Sequence, residues 1–198
     1  MIIPQYQPSM NAARIISRAF LDAEQWGSNS IYGEHLLIAL MSEDGGIAAA
    51  VLLQDLKVNP QQVNRVVEQI CKPYYRPCAP KKKPEVSQSM DKVLSLASFE
   101  AERVGLRAME PEHILLGLAS ANDRMLNQVF EALDLKPEEI RLKVHERIPE
   151  IPLLINGLDT VKFRFIEEFY HNFAYYVPQP IRKLFGRFLD ASKMPPLG

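Results

Sequence analysis

Residues 9–71 and 88–148 of this chain are two versions of one pattern. Displaced by 78 positions, Arg14-Ile15-Ile16-Ser17-Arg18-Ala19 falls on Lys92-Val93-Leu94-Ser95-Leu96-Ala97, Ala23-Glu24 on Ala101-Glu102, and Gly27 on Gly105. Glu34-His35-Leu36-Leu37-Ile38-Ala39-Leu40 then falls on Glu112-His113-Ile114-Leu115-Leu116-Gly117-Leu118. One residue is lost in the loop that follows. At an offset of 77, Leu56-Lys57-Val58-Asn59-Pro60 meets Leu133-Asp134-Leu135-Lys136-Pro137, with Val63 on Ile140 and Val67 on Val144. Self-similarity sustained this far, with one gap, marks a duplicated supersecondary unit.

Each copy reads as four helices. Ile15, Ile16, Ala19, Ala23 and Trp26 recur at three- and four-residue spacing and give the first helix one apolar face. Gly27 follows where a helix end needs a residue free to take positive φ. The second helix carries His35, Leu36, Leu37 and Leu40, and Glu43-Asp44-Gly45-Gly46 breaks it. The third spans about Ile47 to Leu56, with Ala48, Val51 and Leu52 facing inward. Asn59-Pro60 reads as an N-cap and first helical position, opening a fourth helix that carries Val63, Val66, Val67 and Ile70. The second copy repeats this punctuation with Gly105, Pro111, Asn122-Asp123 and Lys136-Pro137. Alternating β-branched runs are missing, so no sheet of consequence is expected.

Between the copies, residues 72–87 form a linker. Pro73, Pro77, Pro80 and Pro84 lie within twelve residues, a density that forbids a helix. The chain has 198 residues, 47% of them hydrophobic, which is enough for a packed core and excludes disorder throughout. Its 23 basic and 24 acidic residues nearly balance, which disfavours a nucleic-acid partner. No apolar run approaches the roughly 18 residues of a membrane span. The start, Met1-Ile2-Ile3-Pro4-Gln5, lacks the charged-then-apolar order of a secretory signal. With only Cys71 and Cys78 there is no disulfide framework. The expectation is a soluble cytoplasmic protein.

The Glu-His-Leu-Leu motif, the glycine-ended helix before it and the tandem duplication resemble the amino-terminal double-repeat domain of ClpA/ClpC-type protein-unfolding chaperones. The resemblance covers about residues 9–148 and implies an all-α, pseudo-two-fold domain that handles protein substrates or adaptors. In that family the chemistry sits in separate ATPase modules. No Gly-x-x-x-x-Gly-Lys-[Ser/Thr] phosphate loop occurs in this chain. The layout is similar to that of the stand-alone ClpT-type accessory proteins of photosynthetic organisms, a resemblance that implies the plastid stroma if the source is eukaryotic.

The resemblance directs attention to Glu34 and Glu112, equivalent residues at the start of the second helix of each copy. In some ClpC-type domains the matching glutamates help bind phosphorylated arginine. A carboxylate would take the guanidinium fork while helix N-terminal N–H groups receive the phosphate. The plainer role for an acid in a first helical turn is to complement the helix dipole, and it is favoured here. The threonine that usually precedes this glutamate is Gly33 in one copy and Pro111 in the other. His35 and His113 lie among leucines without a ligand set at metal spacing, so they read as packed, hydrogen-bonded residues. Cys71 and Cys78 lack two further zinc ligands, and no nucleophile motif is present. No metal, no cofactor and no catalytic residue is assigned; the expectation is that the protein is not an enzyme.

Residues 149–198 stand apart as an aromatic helical extension. Residues 151–198 hold nine of the seventeen aromatic side chains. Leu158, Val161, Phe165, Phe169, Phe173 and Tyr176 fall at helical spacing and form one stripe. Pro178 and Pro180 end that helix, and Phe185 and Phe188 mark a second, short one. Burying one large apolar side chain is worth roughly 1.5–3 kcal/mol, so the stripe must be covered. It can pack on the repeat domain, dock in a partner's groove, or lie on a membrane surface. The mixed charges of Lys162, Arg164, Glu167 and Glu168 favour a protein contact over an anionic membrane. The sequence therefore leads to a non-catalytic accessory or adaptor protein of a Clp-type chaperone–protease system. Its expected partners are a Clp ATPase or protease subunit, or substrate proteins. Candidate binding residues are Glu34, Glu112, Phe165, Phe169, Phe173, Tyr176, Phe185 and Phe188. The alternative is a structural or assembly factor of an unrelated complex, at a membrane for instance, that reuses the same fold.

Overall fold

The computed structural model describes residues 7–76 and 83–148. The first copy of the repeat supplies α1 (Met10–Gln25), α2 (Gly33–Leu40), α3 (Gly46–Ala50) and α4 (Pro60–Ile70). The second supplies α5 (Gln88–Arg103), α6 (Pro111–Ser120), α7 (Arg124–Ala132) and α8 (Pro137–Arg147). The fold is all-α. The described residues include four strands of two residues each: β1 (Gln7–Pro8), β2 (Ser30–Ile31), β3 (Glu85–Val86) and β4 (Ala108–Met109). The extension over residues 149–198 lies outside the described residues, and so does Cys78.

Local chemistry sets the helix ends, and it does so twice. Ser9 caps α1 by accepting from the Ala12 N–H at 3.2 Å, and Ser87 caps α5 by accepting from the Met90 N–H at 3.1 Å. Gly27 and Gly105 sit just past α1 and α5 at φ +70° and +75°. In that conformation the Ser28 N–H returns to the Ala23 carbonyl and the Leu106 N–H to the Ala101 carbonyl, each at 2.9 Å, satisfying end groups a helix otherwise leaves open. Asn59 caps α4 through the Gln61 N–H at 2.9 Å, with Pro60 at the first helical position.

The strands express the two-fold relation directly. β1 pairs in parallel with β4, joining Gln7 to Ala108 and Pro8 to Met109. At the 78-residue offset, β3 is the counterpart of β1 and β2 is the counterpart of β4. Those two pair as well, joining Ser30 to Glu85 and Ile31 to Val86. Each copy thus lends a strand to the other, as a self-complementary two-fold contact requires.

The single gap between the copies does not fall in a loop. α3 and α7 begin at an offset of 78, Gly46 against Arg124, and their C-caps, Leu56 and Leu133, stand at an offset of 77. The extra residue is inside the helix, where Val51–Asp55 continues α3 as a π turn. A π turn is the form a one-residue insertion takes when both ends of a helix are already fixed. The linker is ordered at both ends. Lys72–Tyr74 forms a short 3₁₀ turn with Pro73 in its first positions, where a missing N–H costs nothing. At its far end β3 belongs to the fold.

The core is one cluster drawn from both copies, with α2 and α6 at its centre. Both are buried almost all round: Leu36, Leu37 and Leu40 in α2 have no exposure, nor do Ile114 and Leu115 in α6. Gly33 lies where the copies meet. A Cβ there would stand 3.2 Å from Leu118 Cδ2 of the other copy, which leaves little space for a threonine.

Candidate functional site

The two inner helices place their equivalent glutamates in different surroundings. Glu34 enters α2 in its first turn and is buried at 3% exposure. Its Oε1 accepts a hydrogen bond from the Tyr75 hydroxyl at 3.0 Å. The buried Cys71 and the residue's own N–H also favour its charged form. Burial pushes the Glu34 carboxyl above the ordinary carboxylate range, against the pull of these donors, and the nearby Asp123 pushes the same way. Burial beside this carboxylate raises the Tyr75 hydroxyl and the Cys71 thiol strongly, so both hold their protons and remain donors.

Tyr75 reaches Glu34 through a box of rings. Its ring lies parallel to that of Tyr32, within 4° and 5.8 Å between centroids. His35 stacks on it at 5.2 Å, and Trp26 stands 6.3 Å away. Trp26 also meets His35 edge-on at 5.9 Å. Three elements supply these groups: the C-cap of α1 (Trp26), the start of α2 (Tyr32, Glu34, His35) and the segment after α4 (Tyr75). The sequence reading assigned Tyr75 to the linker and missed the box. Its only signal was two tyrosines inside a proline-rich stretch.

At α6 the arrangement is open. Glu112 is partly exposed, and burial again raises its carboxyl, with Glu110 nearby adding to the effect. The residues equivalent to Trp26 and Tyr32 are Val104 and Glu110, so the aromatic box has no second version. Donors for an anion are scarce at this helix start. Pro111 has no N–H, and the His113 N–H goes to the Glu110 carbonyl at 3.0 Å.

His35 and His113 each lie within the core at 1% exposure or less. In both, Nδ1 accepts the N–H of the N-cap residue, Tyr32 at 3.1 Å and Glu110 at 3.0 Å. Burial lowers both to a pKa of about 4, so they are neutral. They work as capping groups for α2 and α6. Among the described residues no group of three His, Cys, Asp or Glu side chains could hold a metal ion. Phe165, Phe169, Phe173, Tyr176, Phe185 and Phe188 lie outside the described residues. Two clefts open elsewhere. One of about 350 Å³ lies between α1 and α4, with Asp22, Trp26 and Glu68 among its lining residues. The other, of about 390 Å³, lies among α6, α7 and α8. Neither is lined by Glu34 or Glu112.

The family model described as the Clp repeat (R) N-terminal domain matches residues 7–133 and, in a second overlapping segment, residues 87–157. The ATP-dependent Clp protease ATP-binding subunit ClpC of Staphylococcus saprophyticus is 32% identical over 141 residues, 67% of this chain and 16% of that protein. Its counterpart in Staphylococcus epidermidis is also 32% identical, over 142 residues with the same coverage. The chain therefore spans 16% of the length of these curated relatives. The N-terminal domain of the chaperone ClpD from Arabidopsis thaliana superimposes with a TM-score of 0.58 at 21% identity, covering 71% of this chain and 96% of that one. The Hsp104 N-terminal domain from Candida albicans gives 0.59 at 20% identity, covering 74% and 95%.

Proposed function

The chain belongs to the Clp repeat N-terminal domain family, and from that membership we propose that it is a non-catalytic protein-binding module serving a Clp-type chaperone–protease system. Its mechanism is recognition. The start of α6, with Glu112 partly exposed beside Glu110, presents an acidic edge to basic groups on a polypeptide. The aromatic residues Phe165, Phe169, Phe173, Tyr176, Phe185 and Phe188 supply a second, apolar contact to the same class of partner. The observation that carries the reading is the family match across both copies of the repeat. The ClpC relatives are ATP-binding subunits of a Clp protease, and this supplies the system.

The full chain, immobilised, is tested against purified Clp ATPase subunits, Clp protease subunits and an unfolded client protein. Retention of at least one is expected. Glu112→Gln weakens it, and removal of residues 151–198 abolishes it while the circular dichroism stays helical. If all three proteins flow through, or if the truncated chain retains its partner undiminished, the reading fails.

A further inference from the structure

The two copies carry different charges at the same place. In the second, Arg103 at the end of α5 joins that helix to α8. Its Nε stands 2.9 Å from a Glu100 carboxylate oxygen, and its Nη2 stands 2.8 Å from Nε2 of His145. A guanidinium can only donate, so this ring nitrogen accepts. The other, Nδ1, then carries the proton and donates to the Arg141 carbonyl at 2.6 Å. A cation is thus seated between α5 and α8 with a partner on each helix.

Shifted back by 78 positions in the first helix and by 77 in the fourth, Glu100, Arg103 and His145 become Asp22, Gln25 and Glu68. A neutral amide replaces the guanidinium, and a second carboxylate replaces the imidazole. All three residues line the cleft of about 350 Å³ between α1 and α4. Oδ2 of Asp22 is buried and accepts no hydrogen bond from the described residues. Burial favours the neutral form of this carboxyl, and Arg18, one turn earlier, opposes it through its charge. Glu68 pairs with Lys72, but both side chains are about half exposed, and a pair of that kind holds weakly. Trp26 lines the same cleft, where the second copy has Val104. An indole face attracts a cation, and a valine does not. Where the second copy seats its own cation, the first presents two carboxylates and a tryptophan.

We propose that the cleft between α1 and α4 binds a cationic side chain of a protein partner, with Asp22 and Glu68 as its counter-charges and Trp26 as its ring contact, at the place Arg103 fills from within the second copy. The site rests on the protein-binding reading above and adds the chemistry of one contact, in a cleft that neither Glu34 nor Glu112 lines.

Trp26 is the chain's only tryptophan and lines the cleft, so its emission reports occupancy. The full-length protein is titrated with two end-blocked peptides, one carrying a single lysine and one a single arginine. Their acetyl-lysine and citrulline counterparts keep the length and lose the charge. A saturable change in emission is expected with at least one charged peptide and with neither counterpart. Gln25→Arg should weaken it at least about tenfold, because the introduced guanidinium takes the site as Arg103 does. Asp22→Asn should weaken it by a similar factor. If Asp22→Asn loses its helical circular dichroism, Gln25→Arg decides, since Gln25 is exposed and ends its helix. Absence of a saturable response to both charged peptides overturns the proposal. So does a response shared with the uncharged counterparts, or one indifferent to Gln25→Arg, which would belong to another acidic surface. Capture of Clp subunits by the full chain is a separate measurement, so either result can fail alone.

Discussion

His35 and His113 stand 78 residues apart and make the same hydrogen bond, each Nδ1 accepting the backbone N–H of the residue that caps its helix. The duplicated Glu-His-Leu-Leu motif is therefore a helix-starting device. The histidine takes the place that glutamine or glutamate holds in a capping box, and its second nitrogen is left in the core without a partner. A neutral ring is required in both copies.

That requirement predicts acid sensitivity. Burial holds both folded-state pKa values at about 4, against an ordinary 6.5. Between those two pH values the unfolded chain binds protons that the folded one refuses. The stability contributed by the neutral rings is thus complete above 6.5 and lost progressively as pH falls toward 4. The loss is on the order of 2–3 kcal/mol per histidine at most. Glu34 and Glu112 act in the opposite sense: burial raises their folded values, so they favour the folded state increasingly as acid is added. In the variant His35→Gln/His113→Gln the caps survive and the titration disappears. Urea midpoints measured from pH 7 to pH 4.5 should fall steeply for wild type and much less for this variant.

Gly117 predicts a second asymmetry. Its counterpart in the first copy is Ala39, yet a Cβ on Gly117 would stand 2.4 Å from the Val93 carbonyl oxygen and 3.0 Å from the Ala97 nitrogen. α6 therefore crosses α5 at backbone contact, and the obstructing atoms are main chain that cannot swing aside. Gly117→Ala should cost about 2–3 kcal/mol through overpacking. Ala39→Gly should cost about 1 kcal/mol through backbone entropy alone. Equal losses in chemical denaturation would contradict the close crossing.

How far the sequence alone carried the fold depends on where each signal resides. The caps were legible, because Gly27, Gly105, Asn59 and Pro60 act on their own backbone. The exchange of strands between copies was not, since two residues are too few to show a period. The gap was read as a loop because an alignment records that one residue is extra and not where the helix absorbs it. The aromatic box was hidden for a related reason: Tyr75 lies 41 residues from Glu34, and neither residue's neighbours announce the other. Glu34 and Glu112 were read as a matched pair on their shared motif, whereas the difference between them comes from residues outside it.

The π turn makes a prediction about excision. Because Val51–Asp55 carries the one residue that α7 lacks, removing exposed Gln54 should turn the π turn into an α turn and bring this helix to the length of α7. Circular dichroism and the urea midpoint should stay near wild type. Removing Gln128, an exposed residue of α7, gives no such outlet and should rotate Val129 and Phe130 out of the core, with loss of cooperative unfolding. If both excisions are tolerated alike, the insertion does not reside in the π turn.

Asp55, the last residue of that turn, ties the copies together. Arg147, at the end of α8, gives it two hydrogen bonds, at 2.5 Å from Nε and 2.7 Å from Nη2, and reaches Gln54 at 3.3 Å. The geometry is the two-pronged one in which a guanidinium matches a carboxylate. It has no counterpart across the two-fold, where the equivalent residues are Ala132 and Ile70. The Arg147 guanidinium holds the Asp55 carboxyl below its ordinary value. A carboxyl depressed by folding contributes stability that is present above its unfolded pKa and lost as pH falls through the lower folded one. The pair is partly exposed, so salt should weaken it. Asp55→Asn and Arg147→Met should each lower the urea midpoint modestly at pH 7 and low salt. The double variant should lose less than the sum of the two, because each single change leaves the other charge without its partner. Strict additivity in that cycle would mean that the contact holds nothing together, and that the copies are joined by the core and the exchanged strands alone.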